Sequence, residues 1–203
     1  MVTSDGNNES EFIKLAQAGD RNAFESLVRQ CAEQIYNLSY RLTGNSANAE
    51  DLVQDAFIKA FKNISKFREE CTFSSWVYRI TLNLWKNKVK YEKLRSFLKY
   101  FSLSELVETN RGELSIELPD HSPNPESALE QTQKSEKIQE ALNELDEQAR
   151  IMIVFRDMEG RSYEEISALL ECPIGTVKSR IARARESLRE KLIKRFKDDE
   201  NGL

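Results

Sequence analysis

The chain has 203 residues, 39% hydrophobic and 32% charged, with a formal net charge of −4. That composition suits one or two soluble, helix-rich domains and excludes a disordered chain. No apolar run approaches the ~20 residues needed to span a bilayer, so direct membrane insertion is not expected. The start, MVTSDGNNESEF, is polar and acidic and lacks the basic-then-apolar order of a signal peptide. The three cysteines, Cys31, Cys71 and Cys172, are far apart, and His121 is the only histidine. A disulfide framework, a zinc site or a bound cofactor is therefore not expected, and a reducing cytoplasm is the natural compartment.

Helical periodicity dominates from the start. Phe12, Ile13, Leu15 and Ala16 mark a short first helix ending at Gly19. Asp20 is placed to cap a second, in which Phe24, Leu27, Val28, Cys31, Ile35, Leu38 and Leu42 recur at steps of three and four. Gly44 closes it, and Asn45 or Ser46 can cap a third. There Leu52, Val53, Ala56, Phe57, Ala60 and Phe61 point inward, leaving Asp51, Gln54, Asp55, Lys59 and Lys62 to solvent. That polar face is either simply solvated or a docking surface for a basic partner helix.

A loop over 63–72 leads to a fourth helix with Phe73, Trp76, Val77, Ile80 and Leu84 inward. Arg79, Asn83, Lys86 and Lys90 form one polar stripe along it. Lys66, Phe67, Arg68, Phe73 and Trp76 interleave cations with rings. This mixture suits single-stranded DNA, where charge follows the backbone and rings stack on bases at ~1–3 kcal/mol each. Aromatics at helical spacing also suit a core, and Phe73 and Trp76 fit either role.

Periodicity lapses over 96–125, a stretch with Gly112, Pro119, Pro123 and Pro125 that reads as an acidic flexible linker. From Glu126 helical spacing returns through Leu129, Ile138, Leu142 and Leu145, and a helix over 147–158 carries Ile151, Met152, Val154 and Phe155. Strand signals are nearly absent. The expected fold is all-α, two small helical domains on a tether.

Residues 162–192, SYEEISALLECPIGTVKSRIARARESLREKL, read as two helices around a tight corner. Ser162 and Glu165 form a capping box, and Ile166, Leu169 and Leu170 face inward. Glu171, Cys172 and Pro173 make the corner, since proline suits the first turn of a helix. In the next helix Ile174, Val177, Ile181, Ala184 and Leu188 are the buried face, and Thr176, Lys178, Ser179, Arg180, Ala182 and Arg183 the exposed one. A basic helix alone fits a solvated charged surface or a short coiled coil. Cap, proline corner and small residues together point to a helix-turn-helix whose second helix enters a DNA groove.

The net charge hides blocks. Residues 74–99 hold seven cations against one anion, 100–148 three against twelve, and 174–197 nine against two. Two basic segments separated by an acidic one suggest two DNA-contacting surfaces.

The run DLVQDAFIKAFKNISKFREECTFSSWVYRITLNLWKNKVK resembles region 2 of bacterial sigma factors, and LNELDEQARIMIVFRDMEGRSYEEISALLECPIGTVKSRIARARESLREKL resembles their region 4. With these two regions alone, the chain resembles the extracytoplasmic-function (group 4) sigma factors. The resemblance implies a region 2 helical bundle over 9–95, a linker over 96–125 and a region 4 helix-turn-helix over 126–195. It implies that Asp51, Gln54 and Asp55 dock on the β′ clamp of core RNA polymerase, with the β flap as a further contact. Residues 66–73, including Lys66, Phe67, Arg68 and Phe73, match the loop that captures a base flipped from the minus-ten element. Arg79, Asn83 and Lys86, beside Trp76, match the strand-opening helix. Lys178, Ser179, Arg180, Ala182 and Arg183 match positions reading the minus-thirty-five element in duplex DNA, and Thr176 a phosphate contact. An anti-sigma factor is an implied partner. A repressor or activator binding duplex DNA unaided would also use a helix-turn-helix, but the helical first half is unlike a receiver domain. No nucleophile–base pair, phosphate loop or metal cluster points to an enzyme.

Overall fold

The computed structural model describes residues 5–100 and 135–200, with side chains for 8–95 and 135–195. Among these residues no strand occurs, and no helix is long and apolar enough to cross a membrane. The expected linker from 101 to 125, and the start of the following helix with Leu129, lie outside the described residues. The described residues belong to two compact units. One is drawn from Met1–Ile35 and Glu50–Leu118, the other from Tyr36–Ala49 and Pro119–Leu203.

The first unit is built on α1 (Asp5–Gln17), most of α2 (Arg21–Thr43), most of α3 (Ser46–Asn63), a single 3-10 turn (Ile64–Lys66) and α4 (Phe73–Tyr100). Gly19, at φ 100°, turns the chain between α1 and α2 in a conformation that residues with a Cβ rarely adopt. Asp20 then caps α2, its Oδ1 accepting from the Asn22 and Ala23 N–H groups at 2.8 and 3.2 Å. The whole expected stripe of α2, from Phe24 to Leu42, is buried. Each large apolar side chain so buried stabilises by roughly 1.5–3 kcal/mol. Burial pushes the Cys31 thiol up to about 12, with a smaller push from the Glu9 charge. Asn45 caps α3, accepting from the Asn48 N–H at 2.8 Å, and Leu52, Val53, Ala56, Phe57 and Ala60 are buried.

α4 differs from the expected pattern in two ways. It runs through residues 96–100, since that stretch has no glycine or proline to stop it. Its buried stripe is also rotated, comprising Phe73, Val77, Tyr78, Thr81, Leu82 and Trp85, with Trp76, Ile80 and Leu84 only half-buried. Thr81 can occupy the core because its hydroxyl donates to the Val77 carbonyl at 2.9 Å.

The second unit contains helical residues 135–143 (α5), α6 (Glu147–Ile153), α7 (Tyr163–Leu170) and α8 (Ile174–Glu200). Asp146 caps α6, accepting from the Ala149 N–H at 2.9 Å. The helix expected over 147–158 is present, but its last turn, Val154–Met158, is a wide π turn. The core is Leu142, Met152, Phe155, Ile166, Val177 and Ile181 with their neighbours. Residues 36–49 belong here too: Gln139 Nε2 donates to the Arg41 carbonyl at 3.1 Å, and Arg150 Nη1 to the Leu42 carbonyl at 2.6 Å. Desolvation pulls the Arg150 guanidinium below its ordinary value.

The capping box of α7 is complete. Ser162 Oγ accepts from the Glu165 N–H at 3.1 Å, and the Glu165 carboxylate accepts from the Ser162 N–H at 2.7 Å. Ser162→Ala should therefore destabilise the protein by about 1 kcal/mol in urea unfolding. The Ser162 backbone and hydroxyl bonds hold the Glu165 carboxyl below its ordinary 4.5. Its contribution is complete above pH 4.5 and lost as pH falls through the depressed value, so the deficit of Ser162→Ala should shrink in acid. For Cys31 the sign reverses: its raised thiol favours the fold below 9.0, and that contribution is lost as pH rises from 9.0 towards about 12. At mildly alkaline pH a thiol reagent should modify the half-buried Cys71 and Cys172 in the native state and reach Cys31 only on unfolding. Native-state labelling of all three cysteines at one rate would refute this protection.

Candidate nucleic-acid interface

In the first unit the 3-10 turn and a short loop carry the chain from α3 to α4. Lys66, Arg68, Glu69 and Glu70 are exposed there, while Phe67 and Phe73, at the two ends of the loop, are buried at 7% and 2% exposure. The Phe67 ring stacks on Trp76 at 4.8 Å and meets Phe73 edge-on at 6.4 Å, and Phe73 meets Phe24 edge-on at 5.9 Å. The faces of Phe67 and Phe73 are thus engaged in packing, and the half-buried Trp76 closes the cluster. Along α4, Asn83 and Lys90 are exposed and Arg79 and Lys86 half-buried, so the polar stripe remains at the surface. On α3, Asp55 is exposed and Asp51 and Gln54 half-buried, spaced to share one face.

The loop is held from below by α1. Gln17 Nε2 donates to the Ile64 and Phe67 carbonyls at 3.2 and 2.9 Å. Ser10 Oγ donates to the Glu69 carboxylate at 2.7 Å, and Glu69 has a left-handed φ of 56°. Glu9 Oε1 accepts from the Phe73 N–H at 2.7 Å, placing a carboxylate at the positive end of α4. Thr72 completes the cap, its Oγ1 accepting from the Ser75 N–H at 3.2 Å. No sequence pattern marks Glu9, Ser10 or Gln17, because their partners lie 47 to 64 residues away.

In the second unit, the corner between α7 and α8 is set by Glu171 at φ 50°, by the Cys172 N–H donating to the Ser167 carbonyl at 3.2 Å, and by Ser167 Oγ donating to the Cys172 carbonyl at 2.6 Å. From Pro173 onwards α8 buries Val177, Ile181 and Ala184 and exposes Lys178, Ser179, Ala182 and Arg183, with Thr176 and Arg180 half-buried. Ile174, expected inside, is 37% exposed because it lies on the first turn, ahead of the packed face.

Some cations of α8 have acidic partners and others do not. Arg185 binds Asp157 through two hydrogen bonds, at 2.5 and 3.1 Å, which raises its already high basicity and ties α8 to the π turn. Lys191 pairs with Glu144 at 3.4 Å, and Arg195 with Glu140 and Glu144, so these cations join α8 to α5. Lys178, Arg180 and Arg183 have no acidic partner among the described residues. Lys178 Nζ lies 5.5 Å from the Tyr163 ring centroid and Arg156 Cζ 4.8 Å from it, so this ring steadies one exposed cation. The cation-paired Tyr163 and the Asp157 anchor carry no signal in the sequence.

Among the described residues no group of three or more His, Cys, Asp or Glu side chains is placed to hold a metal ion. The two surfaces offer exposed cations and hydrogen-bonding groups, with Glu69 and Glu70 adding negative charge in the loop of the first.

Residues 27–95 match the family model for Sigma-70 region 2, and residues 135–188 that for Sigma-70 region 4. Over 180 residues the chain is 36% identical to the ECF RNA polymerase sigma factor SigW of Bacillus subtilis, covering 89% of this chain and 94% of that one. It is 38% identical over 179 residues to the ECF RNA polymerase sigma factor SigE of Mycolicibacterium smegmatis, covering 87% of this chain and 65% of that longer one. Among solved structures, the sigma factor RpoE from Bartonella quintana, determined in complex with the anti-sigma factor NepR, superposes with a TM-score of 0.60 at 25% identity, covering 83% of this chain and 96% of that one. Both sigma regions match in order along the chain, and the chain belongs to the ECF RNA polymerase sigma factors.

Proposed function

We propose that this chain binds core RNA polymerase, brings it to a class of promoters and helps open the DNA there. The observation that carries this reading is the exposed face of α8, where Lys178, Arg180 and Arg183 lack acidic partners on a helix anchored by its corner and by Asp157. These side chains, with Ser179 and Ala182, read the minus-thirty-five element in the major groove, where Arg and Lys recognise guanine edges and Thr176 contacts a phosphate. Lys66, Phe67, Arg68, Phe73 and Trp76 form the minus-ten loop and its support, and Arg79, Asn83 and Lys86 line the path of the opened strand. Asp51, Gln54 and Asp55 dock on the β′ clamp, and the second unit meets the β flap.

Opening proceeds without covalent chemistry. Extruding a base costs a few kcal/mol, which capture of that base in the loop offsets. In this reading the chain is not an enzyme. It works in the cytoplasm, with residues 9–95 and 126–195 as its two functional domains and 96–125 as their tether. An anti-sigma factor holds it inactive until a stress or envelope signal arrives; the Bartonella relative is in complex with the anti-sigma factor NepR.

Run-off transcription with core polymerase on a promoter library tests this. A defined pair of promoter elements should emerge, and tight, specific DNA binding by the chain without core enzyme would overturn the reading. Arg183→Ala should relax preference at the minus-thirty-five element and weaken binding there by about 1–3 kcal/mol. Unchanged preference removes Arg183 from the reading set. Asp51→Arg combined with Asp55→Arg should reduce affinity for core polymerase while leaving the thermal melt intact; retained core affinity would refute that docking face.

A further inference from the structure

We infer that α1, which precedes the region 2 match, positions the minus-ten loop and thereby sets its base preference. The inference rests on the reading of residues 66–73 as the base-capturing loop.

The contacts reach the entry of the loop, Glu69 within it and its exit. Gln17 grips its entry through the Ile64 and Phe67 carbonyls. Ser10 holds its middle through the Glu69 carboxylate, at the one loop residue with a left-handed backbone among those described. Glu9 holds its exit through the Phe73 N–H. A five-residue loop, 68–72, fixed at both ends and pinned at its second residue has little freedom left. The Ser10 bond selects where the Glu69 carboxylate sits, and so which side of the loop is negative. The neighbouring Arg68 and Glu70 are exposed and follow that backbone. A base entering here meets donors and acceptors whose places are set by α1. Ser10, Glu9 and Gln17 are positioning residues, acting through the loop and touching no DNA themselves.

The holoenzyme, full chain plus core polymerase, is assayed by run-off transcription on a library randomised in both promoter elements. Ser10→Ala is the primary variant, since Ser10 lies on the half-buried to exposed side of α1 and its loss leaves the core intact. Glu69→Gly removes the same bond while keeping the left-handed backbone easy to adopt. Glu9→Ala removes the α4 cap, and Glu9→Gln restores a neutral acceptor for the Phe73 N–H. Ser10→Ala and Glu9→Ala should each change relative base preference at the minus-ten element by about fivefold to tenfold, the scale of one ordinary hydrogen bond. Preference at the minus-thirty-five element should be unchanged, Glu9→Gln should lie near wild type, and Ser10→Ala should add nothing in the Glu69→Gly background, where its partner is already gone.

Lys66→Ala combined with Arg68→Ala serves as the control for the loop itself. If it alters minus-ten preference while the α1 variants keep the wild-type pattern, the inference about α1 is overturned and the loop reading stands. If it too leaves minus-ten preference untouched, the loop reading fails and the α1 inference with it. Equal loss of output at both elements in Ser10→Ala and Glu9→Gln alike would reduce α1 to a purely stabilising role and also overturn the proposal.

Discussion

Phe67 and Phe73 bury their rings at the two ends of a short polar loop, and the geometry of the first surface depends on that constraint. The rings interlock edge-on and stacked with Phe24 and Trp76, arrangements worth about 0.5–1.5 kcal/mol per pair beyond the area they bury. With its ends fixed in the core, the loop can present only its polar middle. Gln17 and Glu9 bond the backbone at its two ends, Ser10 bonds the Glu69 side chain between them, and Thr72 caps the helix that follows. Lys66, Arg68 and Glu70 are thus presented to solvent on an anchored support, where the proposed reading puts the unpaired base.

The second surface follows the same logic with charge in place of rings. Asp157 and the corner around Glu171 fix the direction of α8, so its exposed residues are presented on an anchored helix. The ion pairs towards its far end involve partly exposed side chains, and pairs of that kind contribute only about 0–1 kcal/mol each. Their consequence is one of allocation: acidic partners occupy Arg185, Lys191 and Arg195, while Lys178, Arg180 and Arg183 keep their charge for another molecule. A net charge of −4 is thus compatible with DNA binding, because binding responds to the local field and the average conceals it.

Much of this organisation is written locally. The apolar steps of α2 and α3, Asp20 and Asn45 as caps, the Ser162–Glu165 box and the proline corner each depend on residues within about one helical turn. Side chains so close in sequence meet whenever the helix forms, so their pattern can be read before any tertiary contact exists. The split of the α8 helix into a buried and an exposed face follows from the same period.

Other features depend on partners that periodicity cannot name. The buried face of α4 turned to include Tyr78, Thr81, Leu82 and Trp85 because the surrounding helices and an internal Thr81 bond favoured that face. Phe73 became a core ring when Phe24 packed edge-on against it, and Phe67 when Trp76 stacked on it. Glu9, Ser10 and Gln17 acquired roles only when α1 came to lie under partners 47 to 64 residues away. By itself the sequence determined the helices, their caps and the two motifs, since these arise from interactions between near neighbours. The tertiary structure alone decided which rings were buried, which cations stayed available and which distant side chains hold the loop, since those outcomes require segments far apart in the chain to meet.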